Sequence, residues 1–202
     1  SHIDFQNIAT RYFHESLLRR LAKSPWANHF LLKGGNYIYA QYGIKSRPTT
    51  DVDLLGHQLN NEVEEVKAIF TEIFKIETND FVNFDEKTLL AQPINEQNQY
   101  QGIRLIINAG FHTIKQNIQI DIGFGDVITP APQTLHYPIL LEDFEVPIIQ
   151  AYTIETVIAE KLQAIIILAQ LNSRMKDFYD IYSLLKSEKI NLEVVKEAIT
   201  QT

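Results

Sequence analysis

Two aspartates separated by a single residue have the clearest chemical potential in this sequence. Asp51 and Asp53 flank Val52 at the start of an apolar run. Side chains alternate along a strand, so both carboxylates would point to the same face. Two like charges this close repel each other unless a cation lies between them or one is protonated. The spacing therefore favours a divalent metal site, and the alternative is an exposed edge strand with two solvated aspartates.

A glycine pair precedes the acidic pair, separated from it by residues 36–50. Residues 30–32 are typical of a short strand, and residues 36–42 of a short helix, so Gly34 and Gly35 lead from a strand into a helix. Backbone N–H groups at a helix start bind phosphate, and glycine lets the phosphate approach closely. The pair predicts a phosphate site beside the metal site, although glycine pairs also mark ordinary turns.

A third carboxylate, Asp121, lies in a predicted strand over residues 117–124. Three isoleucines alternate on one face of that strand, and Asp121 shares the other face with Gln119. If this strand lies beside the Asp51 strand, three carboxylates converge. Three oxygen ligands together with phosphate oxygens suit Mg²⁺ or Mn²⁺, which can activate an attacking hydroxyl and stabilise leaving pyrophosphate. The alternative is an exposed strand aspartate.

Lys161 is the most informative cation outside this region. Its neighbours at three and four residues along a predicted helix are apolar: Val157, Ile158, Ala164 and Ile165. A lysine on or beside an apolar stripe is costly unless it has a partner. A phosphate or a carboxylate partner would explain the position, and so would an ammonium group that extends to the surface.

The next predicted helix, residues 174–186, opens with four charged residues. Spacing alone indicates the helical ion pairs Arg174–Asp177 and Lys176–Asp180. The same periodicity assigns a core face to the apolar residues of the helix: Met175, Phe178, Ile181, Tyr182 and Leu185.

The remaining pattern predicts an α+β protein in two parts. A first domain, residues 1–150, would hold a mixed sheet with helices, and residues 151–202 a C-terminal helical unit packed on it. Asn60 or Asn61 can cap a helix that ends near residue 74. Four prolines make residues 129–147 an extended crossing segment that ends the sheet. The other expected elements are helices 3–22, 153–171 and 192–200, strands 81–84, 88–91 and 102–109, and turns at 108–110 and 115–117.

Bulk properties limit the functional classes. The chain has 202 residues, no cysteine and a formal net charge of −7. The absence of cysteine excludes disulfides and thiolate metal sites and is compatible with the cytoplasm. The negative charge argues against a broad basic nucleic-acid surface but permits a local basic pocket. The longest apolar segment, residues 164–169, is far too short to cross a bilayer.

Taken in order, these motifs resemble the AbiEii/AbiGii toxin family, to which the MenT toxins are related. The resemblance covers roughly residues 10 to 190 and rests on four motifs: Lys33-Gly34-Gly35, then Arg47, Thr49, Asp51 and Asp53, then Ala159-Glu160-Lys161, and finally Arg174, Lys176, Asp177 and Asp180, with Asp121 between the second and the third. It implies a DNA-polymerase-β-like nucleotidyltransferase fold, from the toxin half of type IV toxin–antitoxin and abortive phage infection systems.

The resemblance also implies roles for individual residues. Asp51 and Asp53 would be catalytic metal ligands, and Asp121 would take the place of the third carboxylate. Lys161 would be the catalytic basic residue that holds the triphosphate, and Asp177 the essential acidic residue of the last motif. The nucleotide-binding residues would be Lys33, Gly34, Gly35, Arg47, Thr49 and Lys161.

The function expected from motifs and resemblance is Mg²⁺-dependent transfer of a nucleotide from an NTP to an acceptor. The resemblance implies an RNA acceptor, as in characterised relatives, with tRNA 3′ ends as the target of MenT-type toxins, and a cognate antitoxin as a protein partner. One alternative is a phosphotransferase on the same scaffold. The other is a non-catalytic module that binds a nucleotide or a protein partner.

Overall fold

The computed structural model describes residues 4–43, 46–95, 101–126, 128–168, 175–187 and 190–201. The elements follow the order α1 (Phe5–Lys23), β1 (Phe30–Leu32), α2 (Gly34–Tyr42), β2 (Asp51–Gly56), α3 (Val63–Phe74), β3 (Asn83–Asn95), β4 (Gln101–Phe111), β5 (Ile114–Phe124), β6 (Gln133–His136), β7 (Ile148–Ala151), α4 (Ile154–Leu168), α5 (Met175–Ser187) and α6 (Leu192–Gln201). The expected α+β class is confirmed.

The seven strands form one mixed sheet in the order β3-β4-β5-β2-β1-β7-β6. Strands β2 and β5 are parallel, whereas β1–β2, β3–β4 and β4–β5 are antiparallel pairs. β2 therefore lies in the interior of the sheet, between β5 and β1. Its position contradicts the alternative that Asp51 and Asp53 stand on an exposed edge strand.

The described residues divide into two compact units. The first comprises those within 1–125 and 134–150, and the second those within 126–133 and 151–202. In the first unit, α1 contacts β5 and α3, and α3 packs on β3. The alternation predicted for β5 is confirmed, because Ile118, Ile120 and Ile122 are fully buried while Gln119 and Asp121 are half-buried. In the second unit, α4 contacts both α5 and α6.

The sheet is more extensive than expected. The predicted strands 81–84 and 88–91 belong to one strand, β3, whose register shifts between Asp85 and Leu90. The turns predicted at 108–110 and 115–117 lie inside β4 and β5. Their two-residue connection is His112-Thr113 instead, with His112 in the left-handed region at φ 52°. The predicted turns were misplaced because Asn and Gly, which are common in turns, lie inside these strands. Histidine can occupy the actual turn because it is one of the few non-glycine residues that adopt positive φ.

The proline-rich segment also differs from the expectation. It contains β6 and leads into β7, so it extends the sheet beyond β1 rather than ending it. β6 is a short edge strand between Pro132 and Pro138, which is where proline is tolerated in a sheet. At the start of α3 the N-cap position is Glu62, not Asn60 or Asn61. Among the described residues, no helix is both long enough and apolar enough to cross a membrane.

Candidate active site

The glycine pair brings the start of α2 against the acidic strand. Gly34 adopts φ +62°, and a Cβ atom there would collide with the carboxylate of Asp53. A Cβ atom on Gly35 would likewise collide with the Thr49 hydroxyl. The backbone N–H of Lys33 donates to the Asp53 carbonyl at 3.0 Å. Both glycines are thus needed for close approach, and the first N–H groups of α2 lie beside the acidic residues.

Three carboxylates converge at this point of the sheet. In the parallel pairing of β2 with β5, Asp53 lies opposite Asp121. One carboxylate oxygen from each of Asp51, Asp53 and Asp121 lies within 4.8 Å of the others. Thr49 donates its hydroxyl to Asp51 Oδ1 at 3.0 Å. The condition for convergence, that the Asp121 strand lies beside the Asp51 strand, is therefore met, and the three carboxylates converge.

The electrostatics of the three carboxylates are unfavourable without a counter-ion. Burial, and then the negative charge of Asp51, raises the pKa of Asp53 to about 6, with Asp121 adding to the rise. The Lys33 ammonium group lowers the pKa of Asp53 but does not cancel these effects. The donor set consists of hard carboxylate oxygens with no thiolate, which suits Mg²⁺ or Mn²⁺. The repulsion and the donor chemistry both fit a divalent cation.

A buried amide links α2 to the acidic strand. Asn36 is 1 % exposed, and its side-chain amide donates to the Asp51 carbonyl at 2.7 Å. The hydroxyl of Tyr137, which is fully buried, donates to Asn36 Oδ1 at 2.7 Å. The backbone of Asp51 is therefore held by a chain of two hydrogen bonds. Sequence reasoning missed both residues. The only signal for Asn36 was its position as a polar residue after the glycine pair, and no feature of the sequence indicated Tyr137.

Asp121 has charged and polar partners that the sequence analysis also missed. Arg104 on β4 donates Nε to Asp121 Oδ1 and Nη2 to Oδ2, each at 2.8 Å. The Gln119 amide lies 3.3 Å from Oδ1 and 3.1 Å from Oδ2. Arg104 and Asp121 are directly opposite in the β4–β5 register, so a correct strand pairing would have revealed the contact.

Lys161 lies in the second unit and has carboxylate partners. Its Nζ atom lies 3.0 Å from Asp177 Oδ1 and 2.8 Å from Asp180 Oδ2. Lys161 is 9 % exposed, and each aspartate is 1 % exposed. Of the explanations open at the sequence level, a carboxylate partner is the one observed, and the ammonium group does not extend to the surface.

These contacts reverse the predicted faces of α5. Its buried side carries Asp177, Asp180 and Leu184, whereas four members of the predicted core face are at least 46 % exposed: Met175, Phe178, Tyr182 and Leu185. The core-face prediction is wrong because the aspartates, rather than the apolar side chains, are drawn inward by Lys161. Arg174, with its expected ion pair to Asp177, lies outside the described residues.

The remaining candidate, Arg47, is half-buried near the start of β2. Its Nη1 atom donates to the carbonyl of Pro48 at 3.3 Å.

Of the predicted site residues, the structure gathers Lys33, Gly34, Gly35 and Thr49 around the carboxylates of the first unit. Lys161 and Asp177 are gathered in a separate cluster of the second unit.

The sequence of this chain matches a known protein family. The sequence model of the nucleotidyl transferase AbiEii toxin family, type IV toxin–antitoxin system, matches residues 16–202. No curated protein matches the chain.

Solved structures with low sequence identity share the fold. A putative nucleotidyltransferase from Helicobacter pylori has a TM-score of 0.61 at 17% identity, over 95% of this chain and 74% of that one. JHP933 from Helicobacter pylori has a TM-score of 0.59 at 18% identity, over 96% and 72%. ANT(2″)-Ia in complex with adenylyl-2″-tobramycin has a TM-score of 0.50 at 12% identity, over 96% and 95%. These likenesses establish a nucleotidyltransferase fold.

Proposed function

This chain belongs to the AbiEii family of nucleotidyl transferase toxins, and from that premise we propose that it transfers a nucleotide from an NTP to an RNA acceptor. The single observation that carries the proposal is the group of three carboxylates beside the glycine-led start of α2. It offers hard ligands for a divalent cation and N–H donors for phosphate within one unit of the fold.

Asp51 and Asp53, with Asp121 as a third ligand, are the residues that would hold Mg²⁺ or Mn²⁺. A bound ion supplies Lewis-acid stabilisation of the charge that develops on the phosphate oxygens. Thr49 fixes the orientation of the Asp51 carboxylate, and Asn36 fixes its backbone. The N–H groups at the start of α2 and the Lys33 ammonium group would bind the phosphates, with Arg47 contributing a further cation.

In the proposed reaction, an acceptor hydroxyl passes its proton to water as its oxygen forms a bond to the α-phosphorus. The bond between the α-phosphorus and the bridging oxygen of the β-phosphate breaks, and pyrophosphate leaves. Holding the triphosphate and the acceptor in line accounts for much of the rate enhancement in phosphoryl transfer.

Lys161 and Asp177 remain in the proposed catalytic machinery because they match the family's basic and acidic motif positions. Within the second unit, Lys161 already shares its charge with Asp177 and Asp180. To bind the triphosphate, Lys161 must therefore either exchange a carboxylate contact for a phosphate or bind a phosphate in addition to both carboxylates.

We propose RNA, and tRNA 3′ ends in particular, as the acceptor, and a cognate antitoxin as a protein partner. NTPs and tRNA are abundant in the cytoplasm, which we propose as the site of action. The family resemblance supports each of these assignments, and the negative net charge of the chain requires that RNA binding depend on local basic groups.

The discriminating experiment incubates the protein with Mg²⁺ and total cellular RNA, using each of the four NTPs labelled at either the α- or the γ-phosphate. Nucleotidyl transfer predicts that α-label, and not γ-label, enters RNA. Transfer of the γ-label alone would replace the proposal with a phosphotransferase, and binding without any transfer would favour a non-catalytic module.

A further inference from the structure

Asp121 differs from the other two carboxylates because a guanidinium contacts both of its oxygens. Arg104 binds both carboxylate oxygens through a two-pronged contact, and the Gln119 amide lies within hydrogen-bond distance of both. An ionised carboxylate has about four lone-pair positions. Two of those positions face the guanidinium, and the single Gln119 amide nitrogen is shared between the two oxygens, so these contacts compete with a metal ion for the lone pairs of Asp121.

Charge strengthens the same conclusion. The guanidinium of Arg104 is a permanent cation, and a bidentate contact with a carboxylate is among the strongest side-chain pairings. Arg104 therefore already supplies Asp121 with the positive charge that a metal ion would bring. Asp51, in contrast, receives the neutral hydroxyl of Thr49.

The Arg104–Asp121 ion pair is exposed enough for Arg104 to exchange Asp121 for another anion. The Arg104 side chain is 34 % exposed and that of Asp121 is 18 % exposed. A guanidinium at this exposure can leave a carboxylate without burying an unpaired charge. Its planar fork fits phosphate as well as carboxylate, so an incoming triphosphate offers it an equivalent partner.

We propose that Arg104 is an internal counter-cation that withholds Asp121 from the metal site until nucleotide arrives. The inference rests on the proposed function. The resting protein binds a divalent ion through Asp51 and Asp53 alone. The three-carboxylate site is completed only when the phosphates of the NTP draw the guanidinium away from Asp121. Arg104 thereby couples nucleotide binding to assembly of the metal site.

The test is a Mn²⁺ titration without nucleotide, in which the electron paramagnetic resonance signal reports the concentration of free Mn²⁺. Arg104→Met should bind Mn²⁺ at least about tenfold more tightly than wild type, since a competing charge-assisted contact to Asp121 is lost. Asp121→Asn alone should bind Mn²⁺ no more tightly than wild type, because it removes the carboxylate that offsets the Arg104 charge. In the Arg104→Met background, Asp121→Asn should abolish the gain.

A second arm adds an NTP analogue with a non-hydrolysable α,β-linkage. In the otherwise wild-type protein, Asp121→Asn should weaken Mn²⁺ binding about tenfold more with the analogue than without it, because the nucleotide releases Asp121 as a ligand. Lys115→Met serves as the matched control. Lys115 is an exposed cation on β5, the strand that carries Asp121, so this variant removes a positive charge while leaving the Arg104–Asp121 contact in place.

The outcomes separate this inference from the proposed function. Equal Mn²⁺ affinity in wild type and Arg104→Met, or a gain that persists in the Arg104→Met/Asp121→Asn double variant, would overturn the role of Arg104 while leaving the metal site in place. A gain in Lys115→Met equal to that in Arg104→Met would also overturn it, since the effect would then be one of net charge. Absence of Mn²⁺ binding from every variant would refute the metal site itself.

Circular dichroism verifies that each variant is folded. If Arg104→Met unfolds, Arg104→Gln replaces it.

Discussion

At the residue scale, Asp53 carries the electrostatic cost of the acidic site. Its pKa is raised to about 6 by burial and by Asp51, whereas an unfolded chain has a value near 4. Between those pH values the folded state binds more protons than the unfolded state does, so the contribution of Asp53 to stability falls as pH rises from about 4 to about 6. Metal binding would offset this cost.

The first prediction concerns this proton. In EDTA, Asp53 should lower the free energy of unfolding by about 1 kcal/mol between pH 5 and pH 7. His14, whose pKa burial lowers to about 4, acts in the opposite direction, so its contribution to stability is lost as pH falls. The effect of Asp53 is therefore the difference between wild type and Asp53→Asn in urea unfolding at the two pH values. Identical pH dependence in both proteins would contradict the assignment.

The second prediction concerns the hydrogen bonds that hold the backbone of Asp51. Tyr137→Phe removes the hydroxyl that binds Asn36 and should lower kcat about tenfold with little change in KM, since a small displacement of a metal ligand impairs the transition state. Tyr12→Phe is the matched control, because the Tyr12 hydroxyl donates to the Asp80 carbonyl at 2.8 Å. Each variant should lose about 1–2 kcal/mol of stability. Equal kcat values in the two variants would show that Tyr137 is merely structural.

The residues that the sequence identified at this site share one property. The two aspartates of β2 and the glycine pair are local patterns, in which spacing along one strand or one turn reports the geometry directly. Arg104, Asn36 and Tyr137 reach the site through contacts between elements far apart in the chain. Their residue types are common, so only the strand register and the packing of α2 reveal them.

At the scale of elements, α5 shows why periodicity alone cannot assign a buried face. The helix has two stripes of suitable spacing, one apolar and one containing two aspartates. The apolar stripe is the natural prediction for the core, yet the aspartates are buried with Lys161 of α4. The position of Lys161 on an apolar stripe was detectable from the sequence, but the identity of its partner depends on how α4 and α5 pack.

The third prediction tests this cluster. Lys161→Met removes the ammonium group that contacts two buried carboxylates and should destabilise the protein by about 3 kcal/mol in thermal or urea unfolding. Lys176→Met removes an exposed lysine from α5 and should change stability by less than about 0.5 kcal/mol. Equal effects of the two substitutions would contradict a structural role for the Lys161 cluster.

Among the strands, a local sequence pattern predicted one element correctly and failed for others. The alternation of β5 was predicted correctly because its isoleucines report a half-buried strand directly. The hairpin at His112-Thr113 and the short strands β6 and β7 were missed. β6 and β7 have only four residues each, too few for a pattern of alternation, and β6 also lies between prolines.

At the scale of the whole molecule, the candidate chemistry is distributed over both compact units. The first holds the acidic site and the glycine-led helix, and the second holds the Lys161 cluster. The family match spans both, from residue 16 to residue 202. We propose that these parts serve nucleotidyl transfer and that Asp51 is indispensable to it.

The most direct test measures transfer of α-labelled nucleotide to RNA in Mg²⁺ by wild type and Asp51→Asn. Asn conserves the shape of Asp51 and the Thr49 contact while removing the charge that a metal requires, so we predict labelled RNA with wild type and at least a thousandfold less with the variant, roughly the loss of one essential electrostatic contribution. Asp143→Asn, on an exposed loop, should retain wild-type transfer. Equal labelling by Asp51→Asn and wild type would contradict the account.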